Sequence, residues 1–259
     1  MSFDQEKTGS PVLRGDRSES KQQVRLGRIS CKGCWLGHAC VQHGMDEIDL
    51  AWLHLNSVKR HVPHGAAVYR TGDVFHSIFA LRSGTCKSVA VCSDGHEKII
   101  AFHLPGEMFG LTAITPGKYT YDVIAVDDSE VCAVPYSQLL TLSLKDPRLQ
   151  QALFKVFSSA IGRHQGFLER LEPLPAKARV VAWLLNLSER YGRCGYSPDQ
   201  FPLAGTRIDA GSYLGLAHET VTRVLTRLSK AGIILLTEKN IQIKDRNLLM
   251  AEARNYLPA

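Results

Sequence analysis

Between Gly65 and Tyr136 the chain is written in short β-rich runs punctuated by glycine, and near Pro147 the spacing of its apolar residues changes to that of a helix. One sheet or one bundle cannot serve both patterns, because strands bury every second residue and helices every third or fourth. The runs SIFALRSG, CKSVAV, EKIIAFHLPG and YDVIAV are evenly spaced, and Asp94-Gly95, a dipeptide suited to tight hairpins, separates two of them. This half predicts a compact β-roll or jelly-roll barrel. Beyond Pro147, the residues Phe154, Phe157, Ile161, His164, Leu168 and Leu171 recur at intervals of 3, 4, 3, 4 and 3, which makes a coiled-coil-like seam. Glu172-Pro173-Leu174-Pro175 then ends the helix, since proline lacks a donor and restrains the residue before it.

Past that break the periodicity predicts helices around Lys177 to Tyr191 and Arg207 to Lys230, then a strand pair, Ile233 to Thr237 and Ile241 to Lys244, turning at Lys239-Asn240. Gly215 stands where two short helices meet at a sharp turn that needs a positive φ. After it, Val221, Val224, Leu225 and Leu228 share one face, while Glu219, Thr222, Arg223 and Thr226 share the opposite one. The second face carries groups able to read base edges: arginine for guanine, glutamate for cytosine N4, threonine for the thymine methyl. Turn glycine, matched faces and a following β-wing together predict a winged helix-turn-helix reading double-stranded DNA.

Charge agrees with that reading. From residue 173 to 259 there are 12 Lys+Arg against 7 Asp+Glu, so +5 of the formal +6 for the whole chain lies in this third, as phosphate contact requires. The predicted class is α+β, with residues 1–28 a tail, 29–146 a cysteine-bearing segment and β-roll sensor, 147–172 a dimerisation helix, and 173–259 the DNA-binding domain. A hydrophobic content of 44% with 22% charged residues fits a globular protein, and no run approaches the ~20 apolar residues of a membrane span. The amino-terminal residues lack an apolar leader, so a cytoplasmic location is expected. The ten histidines are scattered, and neither a phosphate-binding glycine loop nor a catalytic triad nor an HExxH motif occurs. No enzyme is expected.

Seven cysteines without an export signal favour reduced thiols or metal ligation over a disulfide framework. Cys31, Cys34 and Cys40 fall within ten residues, and thiolates so close together bind zinc or iron–sulfur centres. A fourth ligand is needed, with Cys86, Cys92, Cys132 and Cys194 as candidates. At the level of spacing, zinc, an iron–sulfur centre and a thiol/disulfide switch all remain open.

The chain resembles FNR-type oxygen-responsive regulators of the CRP/FNR superfamily. The likeness rests on Cys31-x2-Cys34-x5-Cys40, Ala80-Leu-Arg-Ser-Gly-Thr85, Gly-Glu-Met-Phe-Gly110, Val131-Cys132-Ala-Val-Pro135, Asn186-Leu-Ser-Glu-Arg190, Tyr213-Leu-Gly-Leu216 and Glu219-Thr-Val-Thr-Arg223, and runs through nearly everything after Ile29. The resemblance implies a [4Fe-4S] cluster on Cys31, Cys34, Cys40 and Cys132, with Cys86, Cys92 and Cys194 outside the ligand set. It further implies a homodimer along the seam of Phe154, Phe157, Ile161, His164 and Leu168, which binds palindromes of TTGAT-like half-sites through Glu219, Thr222 and Arg223 while the cluster is intact. Loss of the cluster in oxygen then loosens the dimer, and contact with RNA polymerase accounts for activation.

Departures from the family pattern carry their own expectations. Thr222 replaces a serine, which keeps the hydroxyl and adds a methyl. Trp35 follows the second cysteine, where an indole either shields the cluster or simply packs. His164 occupies an acidic seam position, so that cluster-free protein is expected to dimerise more readily at alkaline pH, unless the histidine only fixes seam register. His96 replaces an acidic neighbour in the hairpin that corresponds to a polymerase-contacting loop. Lys118-Tyr-Thr-Tyr stands where the cyclic-nucleotide branch places an Arg-Ser pair, so no cyclic nucleotide is expected.

Overall fold

The computed structural model describes residues 27–28, 58–145, 147–171 and 174–253, with the side chains of 27–28, 148–149, 152 and 163–171 outside that description. Nine strands form two antiparallel sheets: β1 (Gly27–Arg28), β2 (Val58–Val62), β3 (Ala67–Tyr69), β4 (Ser77–Ser83), β5 (Cys86–Val91), β6 (Glu97–His103), β7 (Met108–Phe109), β8 (Asp122–Ala125) and β9 (Ser129–Pro135). One sheet runs β1-β2-β9-β4-β7 and the other β3-β8-β5-β6. The inward side chains of both, among them Tyr69, Phe79, Leu81, Phe109, Val123 and Val131, close on one another as a roll. The sequence also offers a short helical candidate around Met45 to Ser57, with apolar Ile48, Leu50, Trp52, Leu53 and Leu55, and this stretch lies outside the described residues.

Helix α1 (Tyr136–Ser143) follows β9 directly, and α2 (Pro147–Leu171) carries the seam. Helix α1 has no counterpart in the sequence reading, because a helix of 8 residues gives a weak periodic signal. Together, Leu139 of α1 and Leu153 of α2 bury Ile78 and Val134, which lie on the face of the five-stranded sheet turned away from the roll interior. Strand β9 therefore has two apolar faces, one for each packing layer.

The carboxy-terminal part comprises α3 (Ala176–Arg193), β10 (Gln200–Pro202), α4 (Arg207–Leu214), α5 (His218–Lys230), β11 (Ile234–Leu236), β12 (Asn240–Ile243) and α6 (Arg246–Ala251). Its wing is a three-stranded sheet ordered β10-β12-β11. The expected strand pair is present, turning over Thr237–Asn240, while β10 was not foreseen. A strand of three residues with Pro202 at its end offers no alternation to detect. Ile99, Phe102 and Leu104 of the roll belong to the same apolar core as Trp183, Leu214 and Leu225. The roll and the DNA-binding part are thus packed together by burial and not merely joined by a linker.

Candidate nucleic-acid interface and cysteine-bearing face

The reading helix is built by its turn. Thr206 caps α4 with a full capping box: its hydroxyl accepts from the Asp209 N–H at 3.1 Å, and the Asp209 carboxylate accepts from the Thr206 N–H at 2.9 Å. Gly215 ends α4 at φ 65°, the left-handed conformation required there. Gly211 is a second glycine the turn needs, which sequence reasoning missed. A Cβ on it would lie 2.7 Å from the Leu216 carbonyl oxygen, so only glycine lets the two helices approach this closely. Arg179 of α3 holds the same corner by donating through Nε to the Leu174 carbonyl (2.8 Å) and through Nη1 to the Leu214 carbonyl (3.1 Å).

With the turn fixed, α5 divides as its periodicity predicts. Val221, Leu225 and Leu228 are buried and Val224 is half-buried against the same core, whereas Glu219, Arg223, Thr226 and Arg227 are exposed. The Thr222 hydroxyl donates to the His218 carbonyl at 2.9 Å, which ties it back to the helix's own backbone. Glu219 and Arg223 stand one turn apart on the open face, and Arg227 and Lys230 continue the basic edge toward the carboxy-terminal end.

The reading head is seated on the roll by a polar contact that the sequence did not reveal. Glu107, in the tight turn before β7, accepts from Arg190 Nε at 2.8 Å and from Nη2 at 2.7 Å, and it also accepts from the Leu104 N–H at 3.0 Å. Arg190 Nη2 also donates to the Phe102 carbonyl at 2.6 Å. Both side chains are nearly inaccessible, at 11% and 6% exposure for Arg190 and Glu107, so this bidentate pair is desolvated. Burial alone would lower the Arg190 pKa, but the adjoining Glu107 carboxylate outweighs it and holds the guanidinium firmly charged.

A second bridge joins Lys87 Nζ of β5 to Asp209 at 2.6 Å, and the Ser212 hydroxyl accepts from the Ile99 N–H at 3.0 Å. Burial works against the ionised Asp209, yet the bonds from Lys87 and from the Thr206 N–H keep its carboxyl below the usual range. Asp209 therefore caps the first helix of the reading head and binds that helix to the roll.

Among the expected cluster ligands, Cys132 lies on β9 and is half-buried, while Cys31, Cys34 and Cys40 lie outside the described residues. Period two puts Cys132 on the same face as Val134, away from the roll interior, with Lys59 and Ala80 beside it on the neighbouring strands. Cys86 is enclosed in the roll core, and burial pushes its thiol up to about 12, which makes it a poor ligand or nucleophile. Cys194 is buried after α3, and Cys92 follows β5 at the hairpin. On α2, Phe154 and Ile161 are exposed at 63% and 57%, whereas Phe157 is half-buried against the Ile78–Val134 group. His164 and Leu168 lie on α2 with side chains outside the described residues.

Residues 59–146 match the cyclic nucleotide-binding domain family, and residues 178–252 match the Crp-like helix-turn-helix domain family. The anaerobic regulatory protein of Haemophilus influenzae is 35% identical over 92% of this chain and 93% of its own length. The fumarate and nitrate reduction regulatory protein of Escherichia coli is 34% identical over 85% of this chain and 89% of its own. This chain belongs to the FNR-type regulators of the CRP/FNR superfamily. Among solved structures, FixK2 of Bradyrhizobium japonicum superposes with a TM-score of 0.69 at 26% identity, spanning 79% of this chain and 99% of that one. An FNR-type regulator is a DNA-binding transcription factor and not an enzyme, which agrees with the open face of α5. Among the described residues, no helix is long and apolar enough to cross a membrane.

Proposed function

We propose that this chain is an oxygen- and redox-responsive transcription regulator, chiefly an activator of anaerobic genes, which binds TTGAT-like palindromes as a homodimer when its cysteines hold a [4Fe-4S] cluster. The observation that carries this reading is the setting of Cys132. Strand β9 is the middle strand of its sheet, and β1 pairs onto β2 so that Gly27, Lys59 and Cys132 fall in one row. Two strand spacings amount to about 10 Å. Cys31 follows Gly27 by four residues, enough chain to span about 13 Å. A thiol of suitable chemistry thus stands within reach of the amino-terminal cysteines.

Cys31, Cys34, Cys40 and Cys132 would hold the cluster, which when bound supplies an oxygen-labile tie between the amino-terminal segment and β9. The chain's own residues carry the consequence. Val134 shares the Cys132 face and packs with Ile78, Leu139 and Leu153, and Phe157 of α2 leans on the same group. A change in the set of β9 therefore bears on the helix whose exposed Phe154 and Ile161 would meet a second copy. Two copies related by a two-fold axis would present their α5 helices to half-sites about 34 Å apart. Arg223 would then pair with guanine, Glu219 accept from cytosine, and the Thr222 methyl meet thymine. The Asp94-Gly95 hairpin would offer a contact to RNA polymerase. Lys118-Tyr-Thr-Tyr, standing where the cyclic-nucleotide branch places an Arg-Ser pair, supports control without a cyclic nucleotide.

The test is anaerobic purification with iron and sulfide analysis, then operator binding and sedimentation before and after air. The expected protein is brown, dimeric and operator-bound without oxygen, and bleached with weakened binding after exposure; Cys132→Ser gives the bleached behaviour throughout. Colourless, iron-free anaerobic protein that binds its operator fully would overturn the reading in favour of zinc or thiol control.

A further inference from the structure

The hairpin joining β5 to β6 carries a group of side chains that neither the DNA interface nor the cluster uses. The last paired residues of the two strands are Val91 and Glu97. The ladder continues one step further, with the Cys92 N–H donating to the His96 carbonyl at 2.9 Å. The turn closes through the Gly95 N–H to the Cys92 carbonyl, also at 2.9 Å, with Gly95 at φ 86°. Cys92 and His96 are therefore opposite one another, so their side chains emerge on the same side of the ribbon. Asp94 sits at the tip and folds back: its carboxylate accepts from the His96 N–H at 3.2 Å and also meets His96 Nδ1 directly. The thiol of Cys92, the carboxylate of Asp94 and the imidazole of His96 all lie within 4.8 Å of one another.

We infer that Cys92, Asp94 and His96 form a surface site for a zinc-class divalent cation, separate from the four cysteines proposed to hold iron. One sulfur, one nitrogen and one oxygen donor suit a borderline-soft ion, and calcium or magnesium would require oxygen alone. Bond lengths of about 2.3 Å to sulfur and 2.0–2.2 Å to nitrogen and oxygen set neighbouring donors about 3.3–3.6 Å apart in a tetrahedron. The donors lie within 4.8 Å of one another, and rotation of half-exposed to exposed side chains on a fixed turn brings them to that spacing. On binding, the Cys92 thiol releases its proton to solvent, and the Asp94–His96 contact is exchanged for two bonds to the ion. The turn needs Asp94 and Gly95, but it has no need of a thiol and an imidazole facing each other across its mouth. Three protein ligands leave the fourth position to water.

The test uses the full wild-type chain, reduced and metal-stripped, with the rate of Cys92 alkylation followed by peptide mass spectrometry as Zn2+ is added. Zn2+ added beyond what Cys31, Cys34, Cys40 and Cys132 take up is expected to protect Cys92, and His96→Gln and Asp94→Asn are expected to abolish or weaken that protection. Co2+ added to a Cys31→Ser, Cys34→Ser, Cys40→Ser chain should give a near-ultraviolet thiolate-to-cobalt band that disappears in the further Cys92→Ser variant. Unchanged alkylation of Cys92 in Zn2+, or protection that persists in His96→Gln, would overturn the site. Either result is independent of iron and sulfide content, so it leaves the cluster reading to its own experiment.

Discussion

The seat between roll and reading head and the open face of α5 use the same kinds of side chain for opposite ends. In the seat, Arg190 and Glu107 are almost wholly removed from water and satisfied by each other and by the backbone carbonyl and N–H of Phe102 and Leu104. On α5, Arg223 and Glu219 stand in solvent. A desolvated charge whose partner is removed has nowhere to recover its hydration, whereas an exposed charge loses little when it is truncated. The seat therefore governs stability and how the head is held, and under the proposed function the α5 face governs affinity for DNA.

The largest expected effect comes from breaking the seat on one side. Glu107→Ala strands the Arg190 guanidinium and should cost about 3–5 kcal/mol in urea unfolding, whereas Glu107→Leu with Arg190→Met should recover most of it. A loss under ~1 kcal/mol for the single variant, within the range of surface pairs, would erase the contrast. On the other side, Arg223→Ala should weaken operator binding by about 1–3 kcal/mol, or about 5- to 150-fold, measured by fluorescence anisotropy at fixed salt. Its unfolding free energy should stay within ~0.5 kcal/mol of the parent, as expected of a surface site.

The smallest effect sharpens the boundary between the two regions. Asp209 has a lowered pKa in the folded state, so its contribution is present above the unfolded carboxylate value of about 3.9 and disappears as pH falls through the lower folded value. Lys87→Met should raise the folded value toward the unfolded one and remove about 1 kcal/mol at neutral pH. Acid titration of stability below pH ~4 should then be shallower in the variant than in the parent. An equal slope in both proteins would show that Lys87 does not hold Asp209 charged.

Much of this was legible in the sequence because it depends on near neighbours along the chain. The strand runs, the seam helix, the left-handed Gly215 and the two faces of α5 all follow from spacing within a few residues. Helix α1 and strand β10 escaped notice because each is too short for a period to emerge. Gly211 left a readable mark, a glycine inside a helix and four residues before the turn glycine, yet its reason lies in a carbonyl of the next segment.

By itself the sequence determined which polar residues share one face of the helix after Gly215, which cysteines crowd together near the start, and where the roll gives way to helices, since these are properties of residue type and local period. Only the tertiary structure decided that Glu107 meets Arg190 and Lys87 meets Asp209, across 83 and 122 residues of chain. It also decided that Cys132 shares the outward face of β9 with Val134, whereas Cys86 is sealed inside the roll. The physical reason is that desolvation and partnership are properties of a place, and the chain creates that place only when distant segments close around it.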